Sequence, residues 1–265
     1  MALAYEKCRF ISRPLPQMSI RFSVIIPAYN EARYLPRLLE SIDVAAKRFG
    51  SDQIEVIVAD NLSTDNTAEI VDSMNCRSVS VTKRRIAAAR NGGAKAARGE
   101  VLCFIDADSA LHGDTFHRID EAMRNERIIA GATGVFLERR SIGLVATYLC
   151  MIPALWLTGI DTGVVFCRRE DFDAVGGYNE DLYFAEDVAF LYALKRRGRA
   201  KQQRLTRLSG VKALGCTRKF DEKGDWHYFT MMPKYVLLMA RRGMSAFLKQ
   251  EDIPSLTDYW YRPRR

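Results

Sequence analysis

Apolar and polar positions alternate between two periods over the first hundred residues. Short, continuously apolar runs, FSVII (Phe22 to Ile26), IEVIVA (Ile54 to Ala59), Val79 to Val81 and VLCFI (Val101 to Ile105), read as strands. Between them the apolar residues recur with a helical period, over Glu31 to Phe49, Thr64 to Met74 and Ile86 to Arg98. The pattern predicts β-α-β-α-β-α-β. Strands apolar on both faces suit the interior of a mainly parallel sheet with helices packed on either side, a Rossmann-like three-layer α/β sandwich. In such a sheet ligands gather at the carboxyl ends of the strands. Three polar clusters fall at those ends: PAYNE (27–31), DNLSTDNT (60–67) and DADS (106–109).

The second half is less regular. IGLVATYLCMIPALWLTGI (142–160) is the most hydrophobic stretch, but Pro153 interrupts it and it is short for a membrane span. It is expected to be a buried helix pair, with an apolar wall for a lipid-bearing acceptor as the alternative. Beyond it, residues 162–199 read as strand, short helix, glycine turn and amphipathic helix, with Glu186 and Asp187 in the first turn of that helix. Acids there are explained by the helix dipole alone. From Lys195 to Lys219 ten Lys and Arg residues accumulate without an acid, which reads as a solvated basic face or a groove for diphosphate.

Composition narrows the class. With 48% hydrophobic residues and no low-complexity tract, the chain of 265 residues is a packed globular protein. Forty Lys and Arg against 32 Asp and Glu, a surplus of 8, favour anionic partners. No RNA-recognition motif accompanies the charge, and nucleic acid is not expected as a partner. Six cysteines without Cys-x-x-Cys spacing fit reduced thiols in a cytoplasm. Residues 1–18 lack the apolar core of a signal peptide, so residues 1–20 are expected to be an N-terminal extension, with residues 1–17 either disordered or the product of a wrongly assigned start. A cytoplasmic protein is expected, with peripheral contact at the inner face of a membrane as an option.

The candidate chemistry lies in FIDADS. If extended geometry persists past Ile105, Asp106 and Asp108 point to the same side and repel each other. A hard divalent cation, Mg2+ or Mn2+, relieves that repulsion and keeps positions open for phosphates. By itself such a pair is more often a solvated turn or a helix cap. An EF-hand is excluded, because Leu111 stands where its glycine would be. The chain has neither Gly-x-Gly-x-x-Gly nor a Walker loop after its strands, so ligand phosphates require another source of positive charge.

SVIIPAYNEARYLPRLLESI, VIVADNLSTDNTAEIV, AARNGGAKAARGEVLCFIDADS and GGYNEDLYFAEDVAFLYALKRRGR, taken in order, resemble the successive blocks of family 2-like glycosyltransferases with the GT-A fold, over about Phe22 to Arg199. The resemblance implies a nucleotide-sugar-binding half (21–110), an acceptor and catalytic half (111–220) and a helical C-terminal extension (221–265). It places the nucleotide against Pro27, Tyr29, Glu31 and Asp60, with Arg90 close to the base or diphosphate. Asp106 then lies near the ribose and the metal, and Asp108 is the direct metal ligand. Asp187, beside Glu186, becomes the general base that takes the proton of an attacking sugar hydroxyl. The implied reaction is inverting transfer from a nucleoside diphosphate sugar, with uridine as the expected base, to a glycan, lipid-linked or small-molecule acceptor.

Two features depart from that pattern. Asn61 stands where many members carry a second Asp, and the chain after Arg199 matches the shared core poorly. In the latter region DEKGDWHYF offers His227 as a further metal ligand, since imidazole accepts Mn2+, and Trp226 as a platform for a sugar ring. Gly163 and Trp226 are the candidates on the acceptor side. Two other readings are a nucleotidyltransferase of similar fold, against which the missing glycine-rich loop argues, and a catalytically silent membrane- or anion-binding protein.

Overall fold

The computed structural model describes residues 19–229, apart from 75, 148, 151–160, 184 and 228. The expected N-terminal extension, the second part of the apolar 142–160 stretch and most of the C-terminal extension, with its apolar run Met231 to Met239, lie outside the described residues.

The first half follows the predicted order: β1 (Phe22–Ala28), α1 (Leu35–Phe49), β2 (Ile54–Asp60), α2 (Thr67–Ser73), β3 (Arg77–Ser80), α3 (Ile86–Ala96) and β4 (Val101–Phe104). The chain continues with α4 (Thr115–Arg124), β5 (Ile128–Ala132), β6 (Val135–Leu137) and a helix α5 that includes 142–147. It then runs through β7 (Val165–Arg168), α6 (Arg169–Val175), α7 (Glu186–Ala200), β8 (Arg204–Arg207), β9 (Ala213–Gly215) and α8 (Arg218–Lys223).

Among the described residues seven strands form one sheet in the order β3-β2-β1-β4-β7-β5-β8. Only β7 runs against its neighbours, pairing antiparallel with β4 and β5, so the sheet is mainly parallel. β6 and β9 form a separate parallel ribbon, joined to the turn after β4 by a bridge between Ala110 and Leu214.

Period-two alternation divides each central strand between two cores. Val24 and Ile26 of β1, with Val101 and Cys103 of β4, pack under Leu35, Leu38 and Ile42 of α1 and Phe116 and Ile119 of α4. Ile25, Leu102 and Phe104 face the other way, onto α3, α6 and α7 through Ala87, Ala94, Phe172, Phe190 and Leu194. Each large aliphatic side chain so buried contributes roughly 1.5–3 kcal/mol. On this second face α3 lies close to the sheet, because a Cβ on Gly93 would stand 2.6 Å from Ile25 Cγ2.

Two helices begin later than their periodicity suggests. Residues 31–34 form a turn in which the Tyr34 and Leu35 amides donate to the Glu31 carbonyl, and α1 starts only at Leu35, with Pro36 in its first turn. Likewise α2 starts at Thr67, because the Asp65 carboxylate accepts from the amides of Ala32 and Thr67 and holds residues 64–66 as a loop. Both delays lengthen the loops at the carboxyl edge of the sheet.

Candidate active site

β1, β2 and β4 are mutually parallel, and Ala28 stands opposite Asp60 while Ile25 stands opposite Phe104, so their carboxyl ends reach one edge together. The loops after β1 and β2 are laced into a single wall. The Asn30 amide donates to Ser63 Oγ at 3.0 Å, the Thr64 amide to Asn30 Oδ1 at 2.7 Å and the Glu31 amide to Thr67 Oγ1 at 3.0 Å. Asn30 and Leu62 take positive φ, 53° and 66°, to make these crossings. Pro27 sits half-buried in β1 opposite Ala59, and the ring of Tyr29 lies under the Arg84 guanidinium at 4.4 Å. Asp60 Oδ1 accepts from the Ser63 amide and shapes its own loop.

Asn61 now has a physical account. Its Nδ2 donates to the carbonyls of Val81 at 2.7 Å and Lys83 at 2.8 Å. A carboxylate could make neither bond. At this position the amide fastens the loop after β2 to the loop that leads into α3.

The centre of the edge is Arg90, delivered by α3 and nearly buried. Its Nη1 lies 2.8 Å from Glu186 Oε1 and 2.9 Å from Asp187 Oδ1, and its Nη2 donates to Asp106 Oδ1 at 2.8 Å. Burial works against the charge of this guanidinium, but Asp187 and then Asp106 outweigh that effect and hold it firmly charged. Three carboxylates share the one buried cation. Burial lifts the Asp187 carboxyl from 3.8 to about 7; Arg90 opposes the rise, while Glu186 and Asp106 add to it. Glu186 and Asp187 do open α7, after Ala185 in a left-handed conformation, but their contacts run to Arg90 rather than to the helix's own amides.

The expectation that Asp106 and Asp108 project together from an extended segment is corrected. β4 stops at Phe104 and a turn begins at once, closed by the Ser109 amide donating to the Asp106 carbonyl. Asp106 faces Arg90, while Asp108 Oδ2 accepts from Arg218 Nη2 at 2.8 Å. Arg218 also reaches Glu31 Oε2 at 3.1 Å and lies over the Tyr34 ring at 4.7 Å. The two carboxylates still feel each other: burial, then Asp106, raises the Asp108 carboxyl against the pull of Arg218 and Lys219. Lys219 is lowered to about 8, chiefly by burial, despite Asp106 and Asp108 beside it.

Arg218 and Lys219 are the functional candidates that the sequence did not single out. The basic run they close is not one solvated face. Arg197 and Lys201 hold the buried Asp171, Arg207 holds Asp161, and Arg218 holds Asp108 and Glu31. Acid-free spacing was the available signal, but it does not say which cation turns inward.

The expected grouping of Asp106, Asp108 and His227 is not assembled. Among the described residues no three His, Cys, Asp or Glu side chains converge as a ready-made metal site. His227 is buried behind α8, with Nδ1 2.7 Å from the Gly224 carbonyl oxygen and its ring against Phe220. The donor chemistry of the remaining pair does suit a divalent cation. Both are hard carboxylates, and Asp106 keeps 59% of its side chain exposed. Trp226 is exposed and packs on Phe229. Gly163 has a backbone role, since at its φ of +94° a Cβ would stand 2.3 Å from the Gly134 carbonyl oxygen.

This sheet and its acidic edge define a GT-A fold, as in solved glycosyltransferases. The mannosyltransferase PcManGT from Pyrobaculum calidifontis, solved with GDP-Man and Mn2+, superposes with a TM-score of 0.62 at 24% identity, over 76% of this chain and 58% of that one. Glucosyl-3-phosphoglycerate synthase from Mycobacterium tuberculosis, solved with Mn2+, UDP and glucosyl-3-phosphoglycerate, gives 0.55 at 21% identity, over 83% and 79%. By sequence, the poly(ribitol-phosphate) beta-N-acetylglucosaminyltransferase TarS of Staphylococcus aureus is 34% identical over 102 residues, 36% of this chain and 18% of TarS. The match covers less than half the length of the other leading curated relatives as well. The model of Glycosyl transferase family 2 matches residues 23–175, more than half of the chain, which therefore belongs to that family. Among the described residues no helix is long and apolar enough to cross a membrane, and Cys76, Cys103, Cys150, Cys167 and Cys216 are free thiols.

Proposed function

We propose that the chain is an inverting glycosyltransferase that moves a sugar from a nucleoside diphosphate, UDP foremost, to a hydroxyl acceptor, with Asp187 as general base. The observation that carries this reading is the Arg90 cluster, in which one buried guanidinium ties Asp106 to Glu186 and Asp187. A carboxylate of the proposed donor site, Asp106, and the carboxylate that receives the proton are thereby held within the span of a single side chain.

The wall formed by Pro27, Tyr29, Glu31 and Asp60 receives the nucleoside. Asp187, with a carboxyl at about 7, is ionised in a large fraction of molecules near neutrality and basic enough to draw a proton from a hydroxyl as it attacks. The new bond joins the acceptor oxygen to the anomeric carbon. The bond from that carbon to the β-phosphate oxygen breaks with its electron pair, the proton goes to Asp187, and in-line attack inverts the centre. Arg90 orients the base, and Arg218 and Lys219 offset negative charge at the diphosphate. Asp106 and Asp108 would hold Mn2+ or Mg2+, which when bound supplies Lewis-acid stabilisation of the departing diphosphate. Arg218 must then yield its place on Asp108. Structural neighbours solved with Mn2+ and a nucleotide support a divalent cation beside the nucleotide.

A thermal-shift panel of nucleoside diphosphates, each with and without Mn2+, tests the reading, because a ligand of the folded state raises the melting temperature. UDP with Mn2+ is expected to give the largest shift. No shift with any nucleoside diphosphate overturns the proposal.

A further inference from the structure

A cleft of about 420 Å³ opens beside the turn that carries Asp106 and Asp108. One wall is the β6–β9 ribbon, which presents Phe136 and Leu214, both exposed; the other is the segment from Ala110 to His112. Two backbone hydrogen bonds between Ala110 and Leu214, each 2.9 Å, join the walls. Asp108 precedes Ala110 by two residues, so its Cα lies within about 7 Å of the cleft wall. On the other wall β9 leads within three residues of Gly215 to Arg218, the residue that grips Asp108. The cleft therefore adjoins the metal-binding candidates.

Its charge is one-sided. The single acid of the lining, Glu138, is held by Arg37, which also donates to the Asp108 carbonyl at 2.9 Å. Against it stand Arg140, which is exposed, and Lys212, whose ammonium lies 4.5 Å from the centre of the Phe136 ring. His112 adds an imidazole that is half in solvent. Two cations next to an exposed aromatic face suit a ligand with an anionic group at one end and a polyol body at the other. The volume is at the small end of ligand sites, right for one or two sugar-sized units.

We propose that this cleft is the acceptor subsite and takes a hydroxyl compound that carries a phosphate group. Arg140 and Lys212 bind the phosphate, Phe136 supports the polyol, and the free hydroxyl is directed toward the reaction centre past the Asp108 turn. The inference rests on the glycosyltransferase reading, and it gives Lys212 of the basic run a ligand.

The test is calorimetry on the full chain preloaded with UDP and Mn2+, so that added phosphate cannot enter the diphosphate site. sn-Glycerol 3-phosphate and inorganic phosphate are expected to bind saturably, and glycerol is not. The double variant R140E/K212E, folded by circular dichroism, should lose this binding by about tenfold or more while its UDP affinity stays within about twofold of wild type. Phe136→Ala should weaken glycerol 3-phosphate but not inorganic phosphate. Vesicles containing phosphatidylglycerol form a separate arm: capture lost in R140E/K212E, with or without binding of the free compound, supports the site and assigns the phosphate to a lipid headgroup. Binding unchanged in the double variant, or none in either arm, overturns the subsite. Failure of wild type to bind UDP at all sinks the transferase reading instead, and the two failures are distinct.

Discussion

Asp187→Asn is expected to leave the protein more stable and without transferase activity. In the folded chain the ionised Asp187 carboxylate sits beside Glu186 and Asp106 with Arg90 shared among all three, and its carboxyl stands at about 7 against an ordinary 3.8. Because the folded value is the raised one, the sign is set. Below about pH 4 both folded and unfolded chains hold the proton and the group contributes nothing. Between 3.8 and 7 the unfolded chain has lost a proton that the folded chain keeps, so stability falls as pH rises. Above 7 the full cost stands, about 4 kcal/mol at 1.36 kcal/mol per pH unit. The side chain keeps 23% of its exposure, and its residual hydration trims that ceiling. Between pH 5 and 8 a difference of about 2 kcal/mol is therefore expected. Urea unfolding of wild type and Asp187→Asn, followed by circular dichroism in chelator at pH 5 and pH 8, measures it. The stability advantage of the variant should be about 2 kcal/mol larger at pH 8. An advantage that is constant or smaller at pH 8 refutes the reasoning. The same substitution should abolish sugar transfer yet spare UDP binding, the pattern of a site in which activity costs stability.

Wild-type turnover should rise with pH through about 7 and then level off, as the base loses its proton; a profile flat from pH 5.5 to 8.5 removes Asp187 from that role. Asp108→Ala should abolish the Mn2+-dependent part of UDP affinity, and equal calorimetric constants for variant and wild type in Mn2+ would contradict the assignment. Arg90→Met leaves three carboxylates without their shared cation and should cost about 3–5 kcal/mol at pH 8 and less at pH 5, read by the same unfolding assay. Asn61→Asp replaces two donated hydrogen bonds with an acceptor facing two carbonyls, and a loss of about 2 kcal/mol or more in folding stability is expected.

The alternation of strand and helix in residues 21–110, the mainly parallel sheet and the gathering of polar clusters at one edge were all legible in the sequence. The reason is that periodicity is a local property: a strand that is apolar on both faces declares its burial within five or six residues. The family blocks likewise marked Arg90, Asp106, Glu186 and Asp187, which the fold brings into contact. What the sequence could not determine was the partner of each charge. Arg90 meets an acid 96 positions away in Glu186, and Arg218 meets Asp108 and Glu31 across 110 and 187 positions. No local pattern encodes which of ten clustered cations turns inward, because that depends on how β9 and α8 pack against the carboxyl edge. The same holds for the turn that sends Asp106 and Asp108 to different arginines, and for Asn61, whose amide is needed only because Val81 and Lys83 present their carbonyls to it. Local residue chemistry set out the elements and the candidate acids. Long-range chain closure decided which of them share a cation, and which carboxylate is buried deeply enough to be raised to about 7.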